Sequence, residues 1–356
     1  MDKKNRIWDI TKKVVKFLLF FGIGILFIYL SMKDLTAADK QQIRDSIKEV
    51  KTGGAWIFLA LSFAIGVVAD FLRSERNRLL LQPMGYNIRH SMAFYSVMVC
   101  YLANLAFPRL GEVLRCSFLQ RYEKVPFQKS LGTVVTERAV DFIFLLAVLG
   151  SAILLNTNVL SQLKIDNQGT SLGAFLSQMG YNLLHGYKMY IILGILVICC
   201  IVVHVTRRWW NRIVFFQKVK HFFIGLGQGL LSIKDLHHPW LFIFYSFAIW
   251  IAYFLQTYVC FYAFDFLVGF DALMVFLVFA FANLGFIIGP GGLGVYPLIV
   301  AGMLVLYGYD YNAGLAAGWV GWSVQTLMVL SLGAFSLIAV SFMKRTSEIE
   351  ETNNNI

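Results

Sequence analysis

Charged residues are scarce in this chain. They make up only 14% of its 356 residues, whereas soluble domains carry roughly 25%. Hydrophobic residues reach 58%, and most of them lie in long apolar runs. These proportions leave no room for a large soluble catalytic domain and predict an integral membrane protein. The net charge of +11 fits the excess of Lys and Arg in cytoplasmic loops of membrane proteins, and we expect no nucleic-acid partner.

The chain also lacks the short motifs of several kinds of site. Its six histidines form no His-Glu-x-x-His pattern, and no Gly-Lys-Ser/Thr follows its glycine-rich segment, so a Walker loop is excluded. The five cysteines have no Cys-x-x-Cys spacing, and we interpret them as packing residues. They are Cys100, Cys116, Cys199, Cys200 and Cys260. We therefore expect neither a metal nor any other cofactor.

Long apolar runs predict the membrane-spanning helices, because a span needs about 20 mostly apolar residues. Six runs qualify: 14–32, 55–72, 131–155, 188–205, 239–264 and 314–342. Two further runs, 91–107 and 271–289, end at prolines and are followed by helical stretches at 109–121 and 296–308. The sequence thus predicts an all-α polytopic protein with one integral membrane domain, residues 1–345, and a polar cytoplasmic tail, residues 346–356.

One pattern occurs twice, in repeat-like halves at about 55–155 and 239–342. An apolar run ends in Ala-Asn-Leu, and a proline with nearby glycine follows. The residues concerned are Asn104, Pro108 and Gly111 in the first half, and Asn283, Pro290, Gly291, Gly292 and Gly294 in the second. Broken helices at matching positions in two halves are typical of the central site of a transporter.

The distribution of basic residues predicts how the chain crosses the membrane. The start of the chain and the stretches 73–90 and 206–236 are basic and are expected inside. These assignments agree only if 91–121 is a re-entrant hairpin from the cytoplasm and 271–308 is one from outside. The result is an inverted repeat with six full spans and cytoplasmic termini. The alternative is eight or more ordinary spans with proline kinks.

The stretch 206–236 interleaves aromatic with basic residues. This pattern favours a cytoplasmic amphipathic segment lying among anionic lipid headgroups.

Six ionisable residues near the first proline break form the candidate site: Arg109, Glu112, Arg115, Glu137, Arg138 and Asp141. In a helix the first three are spaced i, i+3, i+6 along one face, and Glu137 lies one turn from Asp141. Intramembrane charges are costly and are retained when they are paired or functional. We expect the carboxylates to neutralise the arginines and the guanidinium groups to contact a phosphate.

Other interpretations of these charges stay open. In one, the pairs only fix a hairpin to its neighbouring span. In another, the carboxylates are an acid–base pair, although no nucleophile motif accompanies them. Asp70 and Arg73 either join the network or form a boundary ion pair. The uncharged second tip either lines a passage or hinge with bare backbone or packs tightly against another helix. Gln256, Gln325, Trp319 and Trp322 are candidates for lining a cavity.

Three segments together resemble one known family. They are Pro108-Arg109-Leu110-Gly111-Glu112-Val113-Leu114-Arg115, Gly132 to Asp141, and Gly289-Pro290-Gly291-Gly292-Leu293-Gly294-Val295. In this order they resemble the transmembrane region of lysylphosphatidylglycerol synthases, a flippase-like family that includes the membrane half of multiple-peptide-resistance factors. The resemblance covers nearly the whole chain, from the first span to about residue 340.

The resemblance implies a translocase of the bacterial inner membrane that moves a phospholipid, an aminoacylated lipid or a lipid-linked intermediate between leaflets, rather than an enzyme. Its partners would be membrane lipids with phosphate-containing headgroups, and a separate lipid-modifying enzyme is a further candidate. The alternative is an intramembrane enzyme or a partner subunit of a lipid-modifying synthase. The synthases carry a cytosolic aminoacyl-transfer domain after the membrane part, and this chain ends in a polar tail, so we expect no synthase activity. An acidic residue commonly follows the glycine motif of the family, where Tyr296-Pro297 stands here.

Overall fold

The computed structural model describes residues 54–106, 109–156, 236–267 and 269–354, with Gln41 and Asp45. These residues form eight α-helices and three short 3-10 turns. The helices are α1 Trp56–Leu81, α2 His90–Ala106, α3 Leu110–Glu123, α4 Phe127–Leu155, α5 Pro239–Phe261, α6 Ala272–Ile288, α7 Val295–Val305 and α8 Tyr311–Asn354. The predicted all-α polytopic architecture is confirmed. The expected spans 14–32 and 188–205, the segment 206–236 and Pro108 lie outside the described residues.

The helices fall into two length classes. Among the described residues, α1, α4, α5 and the apolar part of α8 are long and apolar enough to cross a membrane. In contrast, α2 and α6 have 17 residues each, α3 has 14 and α7 has 11. At 1.5 Å per residue, 17 residues extend only about 26 Å, which is less than the roughly 30 Å of a hydrocarbon core. Placed straight along the membrane normal, none of these four shorter helices is long enough to cross a bilayer.

The shorter helices pack as two hairpins, which we name hairpin 1 (α2 and α3) and hairpin 2 (α6 and α7). Within hairpin 1, Gly111 approaches Cys100 near the break, and a shared apolar cluster joins Leu119 to Met92 at the far end. Hairpin 2 has the same arrangement, because Gly285 approaches Tyr296 and the apolar cluster includes Met274 and Leu304. Both pairs are therefore antiparallel.

Helices α1 and α5, which precede the two hairpins, pack along each other in opposite directions. The Phe58 ring stacks on that of Tyr262 at a centroid distance of 5.7 Å. Further along, Ser62 Oγ donates to the carbonyl oxygen of Gln256 at 2.9 Å, and Arg76 Nη1 donates to Ser246 Oγ at 3.3 Å. Residue numbers rise in one helix as they fall in the other, so the two halves begin with antiparallel helices.

Each hairpin packs on the last helix of the other half. In one contact α2 lies against α8, and the Leu102 side chain packs so closely on Gly333 that a Cβ there would clash with it. In the counterpart contact α6 lies against α4, where Leu277 is buried with Ala152. The two halves therefore interlock and bury their hairpins against each other rather than forming separate bundles.

Helix α1 is longer than its apolar run. The sequence predicts a span ending at residue 72 and a basic cytoplasmic stretch from 73, but the helix continues without interruption to Leu81. Its last turns are buried rather than exposed, and Arg76 is 0% exposed. The treatment of Arg73 and Arg76 as loop charges is therefore wrong, because their guanidinium groups find partners inside the protein.

Candidate functional site

Charged side chains from three helices gather at one place in the first half. We name the group the charged cluster. It comprises Arg73 and Arg76 of α1, Glu112 and Arg115 of α3, and Glu137, Arg138 and Asp141 of α4. The break between α2 and α3 brings α3 alongside α4. Five of the six residues expected from sequence are therefore brought together, with Arg73, whose role the sequence left open, and Arg76, which was not expected.

Arg115 and Glu137 form the most enclosed pair of the charged cluster. Arg115 Nη1 donates to Glu137 Oε2 at 2.9 Å, and Nη2 donates to Oε1 at 3.3 Å. The side chains are only 5% and 4% exposed. The paired fork geometry satisfies both carboxylate oxygens, which is the arrangement that makes a buried charge pair tolerable.

Glu112 and Arg138 form a more open pair next to the break in hairpin 1. Arg138 Nη2 donates to Glu112 Oε1 at 2.7 Å, and the Arg138 side chain is 48% exposed. Asn104 supports the carboxylate, because its Nδ2 donates to the same oxygen at 3.4 Å while its Oδ1 accepts the Gly111 N–H at 2.8 Å. A Cβ on Gly111 would lie 2.0 Å from the Cys100 carbonyl oxygen, so only glycine permits this approach.

Asp141 pairs with arginines of α1 rather than with those predicted from sequence. Its two oxygens lie 2.7 Å from Arg73 Nη2 and 2.7 Å from Arg76 Nη2. Arg73 also donates to the Tyr101 hydroxyl at 2.5 Å. The expectation that Asp141 neutralises Arg109, Arg115 or Arg138 is therefore corrected, because α1 lies closer to this face of α4.

The role of α1 could have been found from sequence. Asp70, Arg73 and Arg76 are spaced i, i+3, i+6, the same spacing that singled out the charges after Pro108. No glycine or proline interrupts the helix between residue 72 and Pro83. Arg73 joins the network through Asp141, as one of the two open interpretations holds, whereas Asp70 lies near Arg73, 0% exposed, without an ion pair among the described residues.

Arg109 stands apart from the charged cluster. It precedes the first residue of α3 with a left-handed backbone, φ 66°, and it is exposed. The predicted helical alignment of Arg109 with Glu112 and Arg115 is therefore wrong. Within the described part of the chain, no carboxylate pairs with it. Its cation is left facing outward beside the cluster.

The tip of hairpin 2 contacts hairpin 1. Gly291 has φ 58°, and a Cβ there would lie 2.8 Å from Leu105 Cδ2. Trp322 Nε1 donates to the Gly291 carbonyl oxygen at 2.9 Å. Gly292 and Gly294 also have positive φ, at 75° and 73°. Of the two interpretations of this tip, tight packing is the one the contacts support. Pro290 lies in the turn itself.

A cavity of about 60 Å³ lies between α1, α5, α6, α7 and α8. We name it the neutral cavity, because its polar lining consists of amides and hydroxyls. Gln256, Gln325 and Asn283 contribute amides, while Ser62, Thr257, Tyr253 and Tyr296 contribute hydroxyls. Two of the four cavity candidates from sequence, Gln256 and Gln325, lie here. Asn283, which occupies the position of Asn104 in the sequence repeat, also lines this cavity.

The described fold and charged cluster define a polytopic all-α membrane protein with two interlocked, hairpin-containing halves. The chain belongs to the family described as the lysylphosphatidylglycerol synthase TM region, whose model matches residues 14–333. Comparison with curated protein sequences and with solved structures finds no match. The family assignment confirms the resemblance noted from the three sequence segments and ties the chain to membrane lipids.

Proposed function

We propose that this protein moves a lipid with a phosphate-containing headgroup between the two leaflets of the cytoplasmic membrane. The proposal rests chiefly on the half-exposed Arg138 guanidinium, which Glu112 holds at the edge of an otherwise buried charged cluster. A planar guanidinium matches phosphate geometry and keeps its charge at any physiological pH. The exposed Arg109, which immediately precedes α3, adds a second accessible cation three residues before Glu112.

The balance of charge supports an anionic ligand. Four arginines, Arg73, Arg76, Arg115 and Arg138, pair with only three carboxylates, Glu112, Glu137 and Asp141, so the ion pairs of the cluster contain one more cation than anions. The exposed Arg109, just before α3, adds a further positive charge in this part of the chain. An excess cation at a low-dielectric site attracts a phosphate and favours its partial desolvation.

The arrangement of the helices supports alternating access through an inverted repeat. We propose that hairpin 1 enters from the cytoplasm and hairpin 2 from outside, with both termini cytoplasmic. The hairpin helices are too short to cross, and the helices that precede the hairpins, α1 and α5, run antiparallel. Irregular backbone at membrane depth needs cover from protein, and the contact between Gly291 and Leu105 supplies it.

The experiment measures exchange of a fluorescent phospholipid between leaflets of vesicles containing the purified protein. Arg138→Ala and Arg109→Ala are each expected to slow exchange about 10-fold or more, since a charge-assisted hydrogen bond contributes about 1.5–3 kcal/mol. Arg89→Ala is the matched control, because Arg89 lies in an exposed pair with Glu123. Unchanged exchange in both test variants, with wild-type folding, would refute the phosphate contact.

Mass spectrometry of the recovered lipid distinguishes translocation from chemistry. We expect the lipid to keep its mass while it changes leaflet. A changed mass that depends on the protein would instead support the intramembrane enzyme.

A further inference from the structure

The neutral cavity lies directly beside the charged cluster. Tyr253 lines the cavity, and its ring centroid is 5.7 Å from Arg73 Cζ. One aromatic side chain therefore separates a group of fixed charges from a cavity lined by uncharged polar groups. A ligand group held in the cavity lies within the field of the arginines.

The amides of the neutral cavity are oriented by each other and by the backbone. Gln256 Nε2 donates to Gln325 Oε1 at 2.9 Å, and Asn283 Nδ2 donates to the Phe279 carbonyl oxygen at 2.7 Å. Gly66 makes room for the Gln256 amide, since a Cβ there would lie 2.7 Å from Nε2. The amide groups are thus fixed rather than free to reorient.

The amides that line the cavity retain donors and acceptors that these hydrogen bonds do not use. Among the described residues, Gln256 Oε1 and Asn283 Oδ1 have no donor, and Gln325 Nε2 has no acceptor. Because these atoms face the cavity, a group bound there can complete their hydrogen bonds. Both acceptors and a donor are available in one small space, which is the complement of a hydroxyl group.

The lining of the neutral cavity disfavours a cationic ligand. No Asp, Glu, Lys, Arg or His lines the neutral cavity, within the described residues. An ammonium group placed there would find no counter-charge among the lining residues and would lose much of its hydration, so desolvation opposes it. A hydroxyl group carries no such cost.

We propose that the neutral cavity binds the uncharged, hydroxyl-bearing part of a lipid headgroup whose phosphate faces the charged cluster. The inference rests on the proposed function for the phosphate and adds the chemical class of the rest of the headgroup. Glycerol and other polyol headgroups fit this class. Headgroups that end in an ammonium do not.

The experiment compares lipids of equal acyl chains retained by the detergent-solubilised protein, counted by native mass spectrometry. Phosphatidylglycerol and phosphatidylethanol carry the same single negative charge and differ in the headgroup hydroxyls. Wild type is expected to retain phosphatidylglycerol about fivefold over phosphatidylethanol, the effect of one or two net hydrogen bonds. Phosphatidylethanolamine, the ammonium probe, is expected to be retained least.

Two variants test the cavity itself. Gln325→Leu is expected to bring the preference for phosphatidylglycerol over phosphatidylethanol close to one. Gln325→Glu keeps the side-chain size and adds an anion, so it is expected to raise retention of phosphatidylethanolamine above both anionic lipids. Gln120→Glu, at an exposed position of α3, is the matched control and is expected to behave as wild type.

The outcomes separate this inference from the proposed function. Equal wild-type retention of the two anionic lipids overturns the hydroxyl site, as does a Gln325→Leu preference equal to that of wild type. If Gln325→Leu does not fold, the test rests on Gln325→Glu, and a lipid selectivity in that variant equal to that of wild type overturns the hydroxyl site. A wild-type preference without leaflet exchange contradicts translocation and leaves the hydroxyl site standing.

Discussion

Arg115 and Glu137 join hairpin 1 to helix α4 through two parallel hydrogen bonds in a site from which water is nearly excluded. The bonds measure 2.9 Å and 3.3 Å, and neither side chain is more than 5% exposed. A charge pair of this kind costs desolvation energy, and its effect appears chiefly when one partner is removed. The contact that fixes the hairpin to the span therefore depends on both residues being present.

Arg115→Met is expected to lower the free energy of unfolding by about 3–5 kcal/mol, because it leaves the Glu137 carboxylate buried without a partner. Denaturant titration of the protein in detergent micelles measures the change. The double variant Arg115→Met with Glu137→Met is expected to lose less than Arg115→Met alone. Arg89→Ala, in an exposed pair with Glu123, is expected to change stability by less than about 1 kcal/mol.

Asp141→Asn is expected to destabilise the protein by at least about 3 kcal/mol. The substitution keeps the shape of the side chain but removes the charge that lies 2.7 Å from both Arg73 and Arg76, and two buried like charges then face each other. Asp271→Asn, at an exposed position, is the control in the same unfolding assay. Equal midpoints for the two variants would contradict a role for Asp141 in holding α1 against α4.

Gly111→Ala is expected to cost about 1–3 kcal/mol through overpacking. Its Cβ would lie 2.0 Å from the Cys100 carbonyl oxygen and 2.7 Å from Asn104 Cγ, so α2 and α3 must separate. A Cβ on Gly150 in α4 would have no atom within 4 Å, and Gly150→Ala is expected to be neutral or to stabilise by up to about 1 kcal/mol. Thermal unfolding of both variants measures the difference.

Gly291→Ala tests the contact between the two hairpins. The residue has φ 58°, where a Cβ costs about 1–2 kcal/mol, and the added methyl would also meet Leu105 Cδ2 at 2.8 Å. The second substitution Leu105→Ala is expected to restore the part of the loss that comes from the clash and not the backbone part. No recovery at all in the double variant would mean that the tips do not press on each other.

The proposed inverted repeat predicts opposite accessibility for the entrances to the two hairpins. Single cysteines at Asn87, before α2, and at Asp271, before α6, both replace exposed residues. In a background without the native cysteines, a membrane-impermeant thiol reagent added to intact cells is expected to label Asp271→Cys and not Asn87→Cys. Labelling reverses in inside-out vesicles. Equal labelling of both from one side contradicts the inverted repeat.

Much of the architecture follows from the order of apolar and polar residues. The ends of α4, α5 and α6 lie within a few residues of the predicted runs, because apolar length and helix-breaking residues are local properties of the chain. The sequence also predicts where the charged cluster lies, because charged residues are rare inside apolar runs. The predicted end of α1 is wrong because it treats Arg73 and Arg76 as loop charges, although no helix breaker lies between residue 72 and Pro83; which carboxylate they pair with is not a local property of the chain.

The order of residues alone is enough to identify a helical membrane protein with two broken-helix segments and a concentration of charge beside the first. Which charges pair depends on tertiary packing, because Asp141 lies far along the chain from Arg73 and Arg76 and meets them only where α1 packs on α4. The neutral cavity is likewise a tertiary property. Its residues come from five helices, and no spacing along the chain brings Ser62, Asn283 and Gln325 together.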